Sequence, residues 1–303
     1  MKNSVTEGSS LPADAALFTI FLCILFGANA VAMKISFTGL GVFTSVTLRF
    51  TIAITALLIW AKWKTKPLVV SSLQLKQLLL ISSIFFLQMS CFYHGQNLTT
   101  ASHGILIANV LPFVVMIFAH FFLPNDRITP RKIIGLILGF CGVSLLIFEK
   151  SSNGLSSLSG DLTILCAIIL WGCNVVYIKK IIKNYHVLQI TIYPMIFSVP
   201  LFLLSAIIWD SEMVICAPSL PVILAVLYLG LVTASFGFIM WNTLIQKYGA
   251  TALHSFIFIM PVSGVFLGVL VLGDPFSLNL LGAIVFVTSG LIVINSHAQK
   301  TIK

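Results

Sequence analysis

Residues 25–34 read LFGANAVAMK, and residues 170–179 read LWGCNVVYIK. Leu, Gly, Asn, Val and Lys recur in the same order and at the same spacing, so Asn29 corresponds to Asn174. Self-similarity of this kind indicates an internal repeat and has to be recognised before any other feature is interpreted. The chain is therefore predicted to contain two copies of one structural unit.

A second pair of matching motifs lies further along each copy. An Ala-Ser pair at 101–102 is followed by Pro112, and an Ala-Thr pair at 250–251 is followed by Pro261. The order of the motifs is the same in both halves, which supports a repeat of a whole domain. The predicted repeats are 15–148 and 161–295.

The composition shows the environment in which the repeats fold. Of 303 residues, 59% are hydrophobic and 8% are charged, and the mean hydropathy is +1.09. Soluble domains carry about 25% charged residues, so this chain cannot cover a water-facing surface. A bilayer-spanning helix needs about 20 mostly apolar residues. The sequence predicts an all-α membrane protein with ten transmembrane helices, at 15–34, 39–60, 74–95, 102–123, 132–148, 161–182, 187–208, 219–244, 251–272 and 278–295.

The number of spans determines the relation between the repeats. Five spans carry the chain from one side of the membrane to the other, so the second copy enters from the opposite side. This predicts two inverted five-helix repeats. Inverted repeats are typical of secondary transporters, with a solute site near the bilayer midplane and alternating access by rocking of the halves.

The basic residues predict the orientation. With a cytoplasmic N-terminus, fourteen of the 17 Lys and Arg residues fall on the inner side, while Lys34 and Lys150 fall outside and Arg49 lies within a span. Cytoplasmic loops carry an excess of Lys and Arg. Both termini are predicted to be cytoplasmic, in a multi-pass protein of the cell inner membrane.

Several functions are excluded by the sequence. The +9 net charge lies in short gaps between apolar stretches rather than in an exposed basic stripe, so no nucleic-acid partner is expected. No Gly-rich phosphate loop, paired intramembrane carboxylates or metal-ligand spacing is present. We expect no enzyme activity and no cofactor or metal. The expected partners are a small-molecule solute and the lipid bilayer, and a monomer is compatible with the sequence.

The motifs resemble those of the EamA-type members of the drug/metabolite transporter superfamily, over nearly the whole chain. Each repeat opens with a Gly-x-Asn segment similar to the Trp-Gly-Ser/Asn of that family, although Phe26 replaces Trp in the first copy. The other matching segments are Leu48-Arg49-Phe50, Thr99 to Pro112, Asn125-Asp126-Arg127, Gly249 to Pro261 and Leu272 to Pro275. The Gly-Glu-Arg/Pro turn of the family carries Asp126 and Asp274 here in place of Glu.

This resemblance implies a carrier that moves small organic solutes, such as amino acids, across a bacterial inner membrane, most often outward. It also implies a central cavity lined by the first four helices of each half, with the fifth helices at the periphery. Efflux of drugs or other cationic compounds is an alternative. A membrane partner subunit or a lipid flippase is another.

Arg49 is the only formally charged side chain deep within a predicted span, and no acidic residue lies at its depth. A charged side chain at the bilayer centre costs about 2.5–3.5 kcal/mol on insertion scales. Arginine could therefore anchor a substrate carboxylate or phosphate, because its fork fits both. It could instead clamp protein groups, which is the interpretation we favour.

Two pairs of polar or helix-breaking residues lie at matched positions in the repeats. Asn29 and Asn174 can act as gates, bind solute, or join helices by hydrogen bonds. Pro112 and Pro261 each interrupt a span, and broken helices in both halves of a transporter indicate the transport path.

Other candidates lie on spans 3, 4, 8 and 9. The resemblance places a group of polar and aromatic residues on cavity walls, and such side chains suit zwitterionic or aromatic solutes. This group contains Gln88, Tyr93, His94, Trp241 and Asn242. His103 and His254 stand near the ends of spans 4 and 9, and a proton-coupled carrier without intramembrane carboxylates would require a histidine relay or protons linked to the substrate. The alternative role of these histidines is that of hydrogen-bonded residues at helix ends.

Overall fold

The computed structural model describes residues 12–64, 68–122, 130–147, 158–217, 219–248, 253 and 256–295. Within these residues the chain is almost entirely helical. In the first repeat, helices α1 to α7 are Ala13–Gly27, Asn29–Phe37, Val42–Trp63, Ser72–Leu98, Ala101–Ala108, Leu111–Phe122 and Pro130–Ile147. In the second repeat, helices α8 to α13 are Leu158–Ile181, Val187–Trp209, Leu220–Leu227, Phe238–Tyr248, Ile259–Leu272 and Leu278–Asn295.

Seven helical stretches are long and apolar enough to cross a membrane: 13–37, 42–63, 72–98, 101–122, 158–181, 187–209 and 220–241. Three shorter apolar helices occupy 133–146, 259–272 and 278–293. The all-helical membrane fold is confirmed, whereas the number of ten spans stays a prediction. His254, Asp126 and Arg127 lie outside the described residues.

Several spans are interrupted. The first divides into α1 and α2 at Ala28, and the fourth divides into α5 and α6 just before Pro112. Proline lacks an N–H group and clashes with the preceding turn, so a new helix begins at this point. Pro261 lies in the first turn of α12, where a proline is tolerated. A π-helix, Tyr228–Gly237, joins α10 to α11.

Carboxylates cap helix N-termini from distant parts of the chain. Asp210 accepts hydrogen bonds from the backbone N–H groups of Phe43 and Thr44 at the start of α3, at 3.1 and 2.8 Å. Asp274 accepts one from the N–H of Ser102 at the start of α5, at 2.7 Å. These N–H groups have no partner within their own helix and carry partial positive charge, which a carboxylate compensates.

The two repeats interdigitate. The most extensive helix contacts join one repeat to the other: α7 packs on α13, α4 on α8, α3 on α9, and α1 on α12. The contact between the third span of the first repeat (α4) and the first span of the second (α8) has a counterpart in the contact of α10 with α2. The α3–α9 and α7–α13 contacts each join a helix to the equivalent helix of the other repeat. The core therefore lies between the repeats.

Glycines allow the closest of these approaches. A Cβ atom added to Gly95 on α4 would lie 2.8 Å from the carbonyl oxygen of Gly160 on α8. A Cβ atom added to Gly160 would lie 2.9 Å from the backbone of Leu98. Small residues of this kind let helix backbones approach each other in membranes.

Gly95→Val is expected to lower the free energy of unfolding by about 1–3 kcal/mol, because the added methyl groups push α4 away from α8. Ser83→Val is the matched control, since Ser83 is exposed on the same helix. The measurement is the unfolding midpoint of the purified proteins in detergent. Equal midpoints for the two variants would contradict tight packing at this crossing.

Candidate solute-binding site

A cluster of polar side chains surrounds Arg49 between the repeats. The Arg49 guanidinium donates hydrogen bonds to the hydroxyl of Tyr93 at 3.0 Å and to Oγ1 of Thr233 at 3.4 Å. Thr233 Oγ1 also lies 3.3 Å from Oδ1 of Asn29. The cluster joins α2, α3 and α4 of the first repeat to the π-helix of the second. We call these four residues the Arg49 cluster.

Arg49 is buried and lies beside an aromatic ring. Its side chain is 9% exposed, and its Cζ lies 5.4 Å from the centre of the Phe50 ring. Within the described residues Arg49 makes no ion pair with a carboxylate, and its Nε has no hydrogen-bond partner. The aromatic face and the two hydroxyls therefore replace a counter-ion.

A second polar contact joins Asn174 to Gln88. Nδ2 of Asn174 donates to Oε1 of Gln88 at 3.3 Å, and both side chains are buried. Oδ1 of Asn174 has no hydrogen-bond partner among the described residues. In each repeat, then, the asparagine of the first span contacts a polar side chain on the third span of the other repeat.

The two asparagines have different surroundings. Asn174 and Gln88 line a cavity of about 280 Å³ between α4, α8, α9 and α11, which we call the amide cavity. Pro194 also lines this cavity, as the eighth residue of α9. Arg49 is the eighth residue of α3, in the corresponding place of the first repeat. In the Arg49 cluster, Arg49, Tyr93 and Thr233 are buried and Asn29 is half-buried, and none of the four lines the amide cavity.

A larger cavity of about 620 Å³ lies where the α2–α3 and α9–α10 connections meet. Its lining includes His94, Asn97, Asp210 and Glu212. These polar and acidic groups lie at a helix end, and Asp210 is occupied by capping α3. The rest of its lining is largely apolar and includes Phe43, Phe86 and Trp209, so this cavity is a mixed groove at one end of the protein.

The structure thus separates residues that the sequence placed together. Gln88 lines the amide cavity, Tyr93 belongs to the Arg49 cluster, and His94 lines the larger cavity, because α4 presents different faces at successive positions. Trp241 lines neither cavity and contacts the Phe26 ring edge-on at 5.9 Å. The side chain of Asn242 lies outside the described part of α11.

A buried polar pair links α5 to α8 away from the amide cavity. Nδ1 of His103 lies 3.0 Å from Oδ2 of Asp161, and Oδ1 of Asp161 accepts a hydrogen bond from Thr99 at 2.6 Å. Asp161 is 2% exposed. Asp161 is the first residue of the predicted span 161–182, and its contact with His103 was not predicted from the sequence.

Sequence reasoning also missed Thr233 and Trp171. Thr233 lies in a stretch of small and polar residues, GLVTASFG at 230–237, and such a stretch within an apolar span is a usable signal. Trp171 belongs to the repeated motif and lines the amide cavity.

The chain is similar in sequence to known transporter proteins. The sequence profile of the EamA-like transporter family matches residues 14–148 and 158–296. The chain is 23% identical over 279 residues to the uncharacterized transporter YoaV of Bacillus subtilis (strain 168), covering 90% of this chain and 93% of that protein. It is 24% identical over 282 residues to the "Probable amino-acid metabolite efflux pump" of Escherichia coli (strain K12), covering 90% and 92%.

A solved crystal structure has the same fold. It covers 97% of this chain and 100% of that chain, with a TM-score of 0.69 and 19% sequence identity. At this identity the likeness concerns the fold alone.

Proposed function

The chain belongs to the EamA-like transporter family, and from this premise we propose that it is a secondary transporter that exports small organic metabolites, such as amino acids, by alternating access. Members of the family are transporters, which places this chain among multi-pass inner-membrane transport proteins. The substrate, the direction and the mechanism are the parts that the proposal adds.

The inverted arrangement of the repeats is supported by their contacts. An odd number of spans in each repeat requires inversion, and the reciprocal pairing of α4 with α8 and of α10 with α2 fits a twofold relation. Such a relation places a solute path between the repeats, near the middle of the membrane.

Alternating access rests on one observation. The equivalent asparagines occupy unequal environments, since Asn174 lines the amide cavity whereas Asn29 lies beside Thr233 in the Arg49 cluster. Two halves with the same fold but different packing can exchange their states by rocking. In the opposite state we expect the helices around the Arg49 cluster to separate and the amide cavity to close.

Export is supported by the name of the similar Escherichia coli protein, a "Probable amino-acid metabolite efflux pump". In an exporter the amide cavity would be the loading site. It extends to Ile182 and Val187, at the connection between α8 and α9. The exposed Lys179 and Lys180 lie beside this connection, which the excess of basic residues assigns to the cytoplasm along with both termini. An exporter loads its solute from this side.

Blocking the cavity tests the proposal. Val175→Trp is expected to lower transport at least about tenfold, because an indole ring fills most of the space that a small ligand requires. Leu162→Trp is the matched control, since Leu162 is exposed on the same helix. The measurement is exchange of a panel of radiolabelled amino acids by the purified proteins in liposomes.

The alternatives have separate outcomes in the same liposomes. The aromatic and uncharged lining of the cavity would also suit efflux of cationic compounds, which ethidium transport without amino-acid exchange would show. Lipid scrambling with no solute exchange would indicate a flippase. Equal transport by both tryptophan variants would contradict a path through the amide cavity.

A further inference from the structure

The chemistry of the amide cavity restricts its ligand. Phe85, Trp171 and Phe238 contribute aromatic rings to its lining, and Gln88, Asn174 and Thr191 contribute polar groups. Among the described residues that line it, none is charged. Its volume of about 280 Å³ lies at the small end of ligand sites and suits a compact molecule with one ring.

Asn174 provides the specific signal. Its side chain is 3% exposed, and its Nδ2 is used by Gln88, which leaves its Oδ1 as a buried acceptor with no partner among the described residues. A buried acceptor without a donor is costly, so a ligand that brings an N–H group relieves this cost. Among N–H donors, a primary ammonium forms the stronger, charge-assisted bond.

The aromatic rings favour the same ligand. The faces of Trp and Phe attract a cation and also stack with a flat apolar group. A carboxylate, by contrast, would meet no positive charge in the cavity lining. Arg49 does not line the cavity, and its described partners are Tyr93 and Thr233.

We propose that the amide cavity is a binding site for primary amines carried on a flat apolar group, recognised through an N–H donated to Asn174, with no requirement for a carboxylate. This inference rests on the proposed function and specifies its substrate class. It distinguishes an amino acid, whose carboxylate contributes nothing here, from the corresponding amine. It also distinguishes primary amines from quaternary cations, which have no N–H to donate.

The test uses purified full-length protein in detergent and four probes: phenethylamine, phenylalanine, 3-phenylpropionate and N,N,N-trimethylphenethylammonium. Binding is followed by thermal stabilisation, which rises with occupancy of the folded state. Quenching of Trp171 fluorescence is the second measurement, and Trp171→Phe assigns that signal because it keeps a ring. Phenethylamine is expected to bind at least as tightly as phenylalanine, and at least about tenfold more tightly than the other two.

Variants of Asn174 assign the contact. Asn174→Leu is expected to weaken phenethylamine binding about tenfold or more, and Asn174→Asp to strengthen it, since a carboxylate attracts the ammonium more strongly than an amide does. Asn279→Leu is the matched control, because Asn279 is exposed in the first turn of α13. Asn174→Asp is almost isosteric, so it keeps the test valid if the leucine variant does not fold.

Three results would overturn the inference: tightest binding of 3-phenylpropionate, equal binding of the quaternary cation, or no phenethylamine binding at millimolar concentration. None of these decides the transport proposal, which is tested by solute exchange with the Val175→Trp and Leu162→Trp proteins. If the unmodified protein exchanges only acidic solutes and Val175→Trp blocks that exchange, the transporter proposal stands and the amine site fails.

Discussion

Arg49→Gln protein is expected to insert and fold, but to transport every solute of the panel about tenfold more slowly or worse. Arg49 links α3 to Tyr93 and to Thr233 on the other repeat, at 3.0 and 3.4 Å. Hydrogen bonds from charged groups contribute about 1.5–3 kcal/mol each, and about 1.4 kcal/mol shifts an equilibrium tenfold. Loss of these bonds therefore weakens the contact between the repeats and slows the transport cycle. The measurement is solute exchange in liposomes with matched amounts of inserted protein.

The solute range of the remaining activity distinguishes two roles of Arg49. A uniform loss identifies a clamp that holds the repeats together, as its contacts with protein groups suggest. A loss confined to carboxylate-bearing solutes would contradict the clamp and make Arg49 a substrate anchor. Arg49→Lys is the control for charge, because lysine keeps the charge but not the planar fork.

Asp161→Ala is expected to have the largest effect on stability, lowering the free energy of unfolding by about 3–5 kcal/mol. Asp161 is buried and accepts contacts from Thr99 and His103, so alanine removes the acceptor of both at once. The measurement is denaturant titration of the purified protein in mixed micelles.

Two controls interpret this result. Asp161→Asn keeps an oxygen for the Thr99 hydroxyl and is expected to lose less stability than the alanine variant. Glu212→Ala removes an exposed carboxylate and is expected to change little. If Asp161→Ala were as stable as Glu212→Ala, the buried pair would not hold α5 to α8.

The membrane fold could be predicted because its signals are local and strong. Long apolar stretches have to be helical in lipid, where no water is present to satisfy backbone groups. The break at Pro112 was predicted as well, because proline lacks an N–H group and disfavours a continuous helix, although α9 continues through Pro194. The π-helix at 228–237 was not predicted, because no residue type in that stretch requires it.

The candidate site was predicted only in part. Five of its residues were predicted from the sequence, and the structure divides them between two sites. The Arg49 cluster contains Asn29, Arg49 and Tyr93, and the amide cavity is lined by Gln88 and Asn174. A helix turns about 100° per residue, so Gln88, Tyr93 and His94 face different neighbours although they are close in sequence. His94 and Trp241 were expected on cavity walls; His94 lines the larger cavity, and Trp241 contacts the Phe26 ring.

By itself, the sequence determined that the protein is a helical membrane protein built from two related repeats. The length of an apolar stretch and the recurrence of a motif depend only on the order of residues in the chain. Only the tertiary structure decided that one repeat-related asparagine lines a cavity while the other contacts Thr233 beside Arg49. The physical reason is that the two motifs contain the same residue types at the same spacing and therefore favour the same local structure. Their difference arises from side chains of the opposite repeat, which approach only when the helices of the two halves pack together.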